Sequence, residues 1–494
     1  MAKILLAHSY FLRFDAKAHA QMQPYPPLGT LYAASVLRDA GHDIVFFDTM
    51  FAENEEAIEE QLLAHRPDYT IFYEDDFHFL SKMCLLRMRE ACFRMAEIAR
   101  QSGSIVIAHG SDPVDHLPEY FAHGVFAVIC GEGEQTVVDV VAAFEDGGTT
   151  SLAEVQGIAY PVVDGHKLTA TRPMIRNLDT IPFPAWDLVD MHRYRDAWVG
   201  RHGYFSLNIV TTRGCPYSCN WCAKPVYGQI YHSRSPENVV DEMLHLQRRF
   251  SPDHIWFSDD ILGLKPGWLA HFAECVESSG CRIPFSCQTR VDLVLRDDNA
   301  RHIASAGAHT VWIGAESGSQ AVLDAMDKGT TVDQIRSATR LLQSENVRVA
   351  WFLQFGYLGE TLPDVRATQR LVRECGPDDI GISVSYPLPG TPFHARVASL
   401  LGTKQNWTES GDLDLMYPGT FRPAFYRALH TAVHKEFRIR QAFRALRTRD
   451  TSRAAQRRLA LLPWNALELV AAKVRMLLHR IASGSPRLGG VTRA

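Results

Sequence analysis

Short apolar runs separated by amphipathic stretches recur along most of the chain. Lys3 to His8, Asp43 to Phe47, Tyr69 to Tyr73, Ser104 to Ala108 and Val125 to Cys130 have the length and apolar content of buried strands. Leu31 to Asp39, closed by Gly41, and Leu85 to Gln101 read as helices between them. Buried strands joined by helical crossovers predict a doubly wound, Rossmann-like parallel sheet over residues 1–150. Such sheets bind ligands beyond the carboxyl ends of their strands.

Residues 151–205 break the rhythm and read as a connector. Val163-Asp164-Gly165-His166 predicts a hairpin turn. The segment from Pro182 to Asp187 is stiff and extended because of its prolines. From Leu207 the alternation returns, with strands at Leu207 to Thr212, His254 to Ser258, Pro284 to Gln288, Thr310 to Gly314, Val347 to Leu353 and Gly381 to Ser385. Ser235-Pro236 supplies a hydroxyl N-cap followed by proline at the first helical position. Val240, Met243 and Leu244 give that helix an apolar face. Residues 206–400 therefore hold six strand–helix units.

Residues 401–494 end in helices. Phe425 to Leu446 reads as a basic helix and Trp464 to Ile481 as an amphipathic one, with Leu467, Val470, Ala471, Val474 and Leu478 on one face. The last residues, from Gly484, read as disordered. Residues 431–494 hold fourteen Lys/Arg against three Asp/Glu. The expected role of these helices is a cap on the preceding domain, with the basic face in water. The competing role is peripheral contact with a membrane surface.

The whole chain is 494 residues long, 46% hydrophobic and 22% charged, which suits two or three globular domains. Its net charge of −5 excludes wholesale nucleic-acid binding. Ten cysteines are scattered without a secretory framework or signal peptide, so the expected setting is the reducing cytoplasm. No apolar run reaches the roughly 18 residues that a membrane span needs.

Cys215, Cys219 and Cys222 carry the sharpest chemistry. Their spacing is C-x3-C-x2-C, within Arg213-Gly214-Cys215-Pro216-Tyr217-Ser218-Cys219-Asn220-Trp221-Cys222, and no fourth cysteine lies nearby. A structural zinc site wants four protein ligands, and an electron-transfer iron–sulfur cluster usually takes four thiolates. Three thiolates on a four-iron cluster leave one iron open to a substrate. Of the seven other cysteines, Cys84, Cys92, Cys275, Cys281, Cys287 and Cys375 are most simply small hydrophobes, with Cys287 on a core strand that could face the cavity.

At this motif the chain resembles the radical S-adenosylmethionine (SAM) superfamily. The resemblance implies a partial (β/α)6 barrel over residues 206–400 and a 4Fe-4S cluster on the three cysteines. It also implies an open iron that holds SAM, and release of a 5′-deoxyadenosyl radical. Trp221 stands where the family places an aromatic beside the adenine. Asp259 and Asp260 end the second core strand, where the family contacts the SAM ammonium. Gln288 and Arg290 end the third, and Arg290 could pair with the SAM carboxylate. Glu316 resembles the ribose-side residue, and the turn at Gly356 the adenine-side one. An electron donor such as flavodoxin or ferredoxin is implied as partner.

The first 150 residues resemble the cobalamin-binding domain that precedes many radical SAM cores. The matching pieces are Pro26-Pro27-Leu28-Gly29 ahead of the first helix, Gly110 after the fourth strand, and Gly131-Glu132-Gly133-Glu134 after the fifth. The Asp-x-His-x-x-Gly sequence of methionine-synthase-type domains is missing: Asp15 and His19 are wrongly spaced, and Asp76-Phe77-His78 is followed by Leu80 and Ser81. The expectation is cobalamin bound without its own base and without a conventional histidine ligand, His78 being the residue nearest to that role.

The overall pattern resembles cobalamin-dependent radical SAM enzymes, for which methyl transfer to an unactivated carbon is the first expectation. The segments Trp351 to Tyr357 and Tyr386 to Gly390 resemble the anaerobic magnesium-protoporphyrin monomethyl ester cyclase subgroup, which implies an oxidative ring closure instead. A non-catalytic cobalamin or redox sensor is the third reading. The substrate is expected to be a small molecule, lipid-like or a tetrapyrrole.

Overall fold

The computed structural model describes residues 1–83, 85–222 and 226–482. Its first unit is built on β1 (Lys3–Ala7), β2 (Asp43–Phe47), β3 (Tyr69–Tyr73), β4 (Ile105–His109), β5 (Ala127–Ile129), β6 (Ile158–Val162) and β7 (Gly165–Leu168). These form one sheet in the order β2-β1-β3-β4-β5-β6-β7. β1 to β5 run parallel, and β6 and β7 continue the sheet as an antiparallel hairpin. The expected hairpin turn is therefore present, but residues 158–168 extend the first sheet rather than merely connect two domains.

The helix after β1 and a short helical turn begins at Leu28, three residues before the apolar pattern suggested. Pro27 is its N-cap, so Leu28 and Gly29 lie inside the helix rather than ahead of it. First-turn N–H groups have no partner within a helix. Here Gly29 N donates to Asp75 Oδ1 at 3.0 Å, and Thr30 Oγ1 donates to the Tyr73 carbonyl at 2.6 Å. Those partners come from β3 and the loop after it, which local pattern does not reveal.

A helix from Met191 to His202 leads into the second unit; Asp190 caps it at one end and Gly203, in the left-handed region, at the other. The second unit uses β8 (Ser206–Ile209), β9 (Thr212–Arg213), β10 (His232–Ser233), β11 (His254–Phe257), β12 (Phe285–Thr289), β13 (Ala308–Glu316), β14 (Arg348–Phe355) and β15 (Asp379–Val384). Six of them form a parallel half-barrel in the order β15-β14-β13-β12-β11-β8. β9 and β10 pair as a small antiparallel ribbon at its head. The helix Pro236–Phe250 starts as its sequence predicts, with the Ser235 side chain accepting from Asn238 N.

Aromatic packing fixes the layer between the half-barrel and its outer helices: Phe257 and Phe285 stack at 4.5 Å against Phe272, and fully buried Trp351 donates Nε1–H to Thr339 Oγ1 at 3.1 Å. Cys287 is fully buried in the same hydrophobic core. Helices Pro423–Arg447, Arg453–Ala460 and Leu462–Ala482 close the described chain. The middle one has too few apolar positions to show in the pattern and is set by its Ser452 cap. Cys84 and the tail from Gly484 lie outside the described residues.

The carboxyl edge of the first sheet meets the head of the second. Phe77 stacks on Tyr227 at 5.6 Å, Asn208 Nδ2 donates to the Pro26 carbonyl at 3.1 Å, and Tyr25 Oη lies 3.1 Å from Ser206 Oγ. The stretch before the C-terminal helices binds back to the first unit, with Leu86 N donating to Trp407 O and Ser410 Oγ to Asp15 Oδ1.

Candidate functional site

The cysteine loop leaves the head of β8 and is anchored by backbone contacts on both sides. Thr211 N and Thr212 N each donate to Asp259 Oδ1 at 2.7 Å, and Thr211 Oγ1 donates to Asp259 Oδ2 at 2.7 Å. Asp259 is fully buried in this role, and burial raises its pKa to about 6 despite these donors. It is therefore an anchor of the loop and not available to an ammonium, which corrects the sequence expectation. Gly214 has φ +78°, and a Cβ there would sit 2.2 Å from the Ile230 carbonyl, so only glycine lets the loop close on itself.

Between the second and third cysteines, Asn220 is held on every side. Its Nδ2 donates to Ala325 O at 2.8 Å and Asp327 Oδ2 at 2.7 Å, and its Oδ1 accepts from Tyr357 Oη at 2.8 Å. The three cysteines are partly exposed, and none is in a disulfide. Among the described residues, the trio whose ligand atoms converge within 4.8 Å is Glu237, His271 and Cys275 on two outer helices, not the loop cysteines. Three free, partly exposed thiols on one short loop, with cations beside them, are a donor set that suits a metal cluster.

Cations surround the loop. Arg290 brings Nη1 to 3.7 Å from Cys219 Sγ, with its guanidinium 3.6 Å from the Tyr217 ring centre. Its other donors go to Asp292 Oδ1 and the Lys328 carbonyl, each at 2.9 Å. Lys328 pairs with Glu316 Oε1 at 2.9 Å and lies 5.8 Å over the Trp221 ring. Burial alone would lower the pKa of Lys328, but Glu316 and Cys219 outweigh it and raise it. Glu316 sits at φ +55°, on a register shift in β13, so its backbone is strained to present this pair. Lys82, from the first unit, donates to Asp260 Oδ1 at 2.6 Å. Burial lowers the Lys82 pKa, but Asp260, Asp76 and Cys222 together raise it. Positive charge beside a thiol favours its thiolate, the form that binds metal.

The remaining candidates sit at the same strand ends. Gln288 Nε2 lies 3.4 Å from the Asp259 carbonyl. Gly356 donates its N–H to Glu360 Oε2 at 2.6 Å, and its carbonyl accepts from Tyr417 Oη at 2.6 Å. Burial pushes the Glu360 pKa up to about 8. Trp221 Nε1, Gln354 Oε1 and Glu360 Oε1 are buried with no hydrogen-bond partner. A polar nucleoside bound over the loop would need such atoms.

The first-sheet candidates resolve differently. Glu132 does not face an open pocket: Oε1 pairs with Arg213 Nη1, and Oε2 accepts from Ile175 N at 2.5 Å. Glu134 pairs with Arg213 Nη2. All three are 6% exposed or less. The Gly-Glu-Gly-Glu segment thus clamps the arginine two residues before Cys215. Gly29, Gly110 and Gly133 allow close packing, since a Cβ on each would meet the Glu74–Asp75 backbone, Glu74 Cβ and Tyr73 Oη respectively, all under 3.0 Å at the nearest atom. Gly131, at φ +84°, has open space on that side. His78 packs edge-on against Tyr10 at 4.7 Å, and burial lowers its pKa to about 4, so the ring is neutral. Beside it, burial and the neighbouring Asp75 hold Asp76 well above the usual carboxylate range. Ser81 Oγ and Glu134 Oε2 are buried on this edge without a hydrogen-bond partner, while His109 Nδ1 lies 3.4 Å from Asp76 Oδ2, and a large polar cofactor fits that unmet capacity.

Sequence reading missed Lys82 and Lys328, and it missed the pairing of Arg213 with Glu132 and Glu134. The repeated acids in Gly-Glu-Gly-Glu and the arginine before the first cysteine were visible signals of a clamp. Lys82 and Lys328 gave no local signal.

Residues 209–372 match the profile of the radical SAM superfamily. The chain is 26% identical over 395 residues to an uncharacterized methyltransferase, PH0819, of Pyrococcus horikoshii, covering 79% of this chain and 82% of that protein. It is 28% identical over 329 residues to the anaerobic magnesium-protoporphyrin IX monomethyl ester cyclase of a Synechocystis strain. That alignment covers 65% of this chain and 63% of the cyclase. The fold superposes on OxsB, a cobalamin-dependent SAM radical enzyme solved with aqua-cobalamin and SAM, with a TM-score of 0.74 and 17% identity, covering 97% of this chain and 72% of OxsB. Residues 209–372 therefore form a radical SAM domain, in a chain distantly homologous to magnesium-protoporphyrin cyclases and to methyltransferases and with the fold of a cobalamin-dependent SAM radical enzyme.

Proposed function

We propose that this enzyme uses a 4Fe-4S cluster, SAM and cobalamin to transfer a methyl group to an unactivated carbon. The observation that carries the reading is the Arg213 clamp. Glu132 and Glu134 at the carboxyl edge of the first sheet grip the residue that opens the cysteine loop, so the two sites abut. The covered length of PH0819 supports methyl transfer.

Cys215, Cys219 and Cys222 would hold the cluster. Trp221, Gln288, Gly356, Asp260 and the Glu316–Lys328 pair would line the SAM side, and Gly131, His78 and the Glu74–Asp76 loop the cobalamin side. When bound, these groups supply one-electron reduction of SAM and carriage of a methyl group. The chain's own part is electrostatic and positional. Arg290 and Lys328 stabilise negative charge on the thiolates. Trp221 offers a flat apolar face with an unmet N–H. Neutral His78 can donate or accept a hydrogen bond without adding charge.

The cyclase reading is favoured by the slightly higher identity to the Synechocystis protein, over a smaller share of it. Product analysis under strict anoxia separates the readings. Methyl transfer yields S-adenosylhomocysteine and 5′-deoxyadenosine in similar amounts, whereas oxidation yields deoxyadenosine alone. Replacing all three cysteines by alanine should abolish iron binding and SAM cleavage. SAM cleavage that survives the replacement would refute both readings.

A further inference from the structure

The last described helix, Leu462–Ala482, lies along Pro423–Arg447 in an unusual orientation. An amphipathic helix normally turns its apolar stripe to the core. Here the inward residues are Asn465 and Ala472, both buried, with Met476 partly buried against the core. The opposite face carries Trp464, Leu467, Val470, Val474, Leu477 and Leu478, each between 51 and 62% exposed. They recur every three or four residues, so they form one stripe along the helix. Phe443 and Leu446 on the helix beneath are also more than half exposed. Isolated exposed apolar side chains are ordinary, but a contiguous stripe of this kind marks an interaction surface.

Charge decides what covers it. Glu468 is the sole acidic residue of this helix, against Lys473, Arg475 and Arg480. Lys473 reaches Glu436 on the neighbouring helix at 3.7 Å, while Arg475 and Arg480 are exposed on the two sides of the stripe. An apolar stripe bordered by cations is complementary to a surface that is apolar inside and anionic at its rim. Among the described residues no helix is long and apolar enough to cross a membrane, so the helix would lie on such a surface and not through it.

We propose that the outward face of the C-terminal helix docks the enzyme onto an anionic lipid bilayer. The apolar stripe sits at the acyl boundary, and Arg475 and Arg480 meet the headgroup phosphates. The cap expected from the sequence holds only for the inward side.

The test is flotation of the full chain, purified anaerobically, with vesicles of phosphatidylcholine alone or mixed with phosphatidylglycerol, at low and high salt. The expected result is co-flotation with the mixed vesicles, weakened by salt. Leu467→Glu with Val474→Glu should abolish it while the circular dichroism spectrum and melting temperature hold. Should that variant misfold, Arg475→Ala with Arg480→Ala keeps the stripe and should weaken partitioning roughly tenfold or more. No co-flotation of the unaltered chain overturns the proposal, as does equal binding to both vesicle types. Sedimentation velocity showing a dimer that Leu467→Glu with Val474→Glu dissociates, without vesicle binding, would assign the face to a second copy and also overturn it.

Discussion

At the seam between the two sheets, charge is inside: Arg213, Glu132 and Glu134 are almost completely buried. On the C-terminal helix, large apolar residues are outside, more than half exposed. Both regions invert the usual partition, for different reasons. Buried ions are costly unless each is paired, and the seam pairs one guanidinium with two carboxylates. Such a site gains little stability but admits one arrangement of the loop. Exposed apolar area instead lowers solubility until something covers it. The seam is complete within the chain; the helix face is not.

The comparison predicts opposite sensitivities. Arg213→Ala leaves two buried carboxylates without their cation, and should cost about 3–5 kcal/mol in chemical denaturation. Adding Glu132→Gln and Glu134→Gln should return part of that loss. If Arg213→Ala is neutral, the clamp is not a buried ionic site.

Acid should act next, through histidines buried in neutral form. Burial lowers the pKa of His78, His109, His254 and His430 to about 4. In the unfolded chain they titrate near 6.5, so between these values the unfolded state binds more protons. Stability is fully present above about 6.5 and is lost as pH falls toward 4, by several kcal/mol in total. Asp259 acts in the other direction: its raised pKa costs stability as pH rises toward about 6. A denaturation midpoint that stays flat from pH 6.5 to 4.5 would show that the histidines are not buried as described.

Lys82→Met removes the ion pair to Asp260, which is partly exposed on both partners. The stability loss should be about 1 kcal/mol. Iron content should hold while SAM cleavage falls about tenfold, because Asp260 loses its fixed cation beside the cysteine loop. Equal loss of iron and activity would make Lys82 a structural residue only.

The smallest effect belongs to the helix face. Leu467→Glu with Val474→Glu should change stability by no more than about 0.5 kcal/mol, since both residues keep more than half of their surface in water. A loss of several kcal/mol would mean the stripe is packed in solution.

Much of this was legible beforehand because it is local or periodic. The strands Asp43–Phe47 and Tyr69–Tyr73 have the residues their pattern predicts, and Ser235-Pro236 caps a helix by chemistry contained in two residues. The early start of the helix at Leu28 was hidden, since the side chain that accepts its Gly29 N–H is Asp75, 46 residues away. Asp259 and Glu132 looked like ligand residues because sequence shows a carboxylate at a strand end but not its partner. Their partners, the Thr211–Thr212 backbone and Arg213, are placed by the fold.

Sequence alone determined the three-cysteine loop, the two α/β units and the amphipathic last helix, because spacing and period are properties of neighbours along the chain. Only tertiary structure decided which carboxylates remain open to a ligand, which lysines approach the sulfurs, and which way the last helix turns its apolar side. Those depend on contacts between residues far apart in the chain, and no local pattern encodes them.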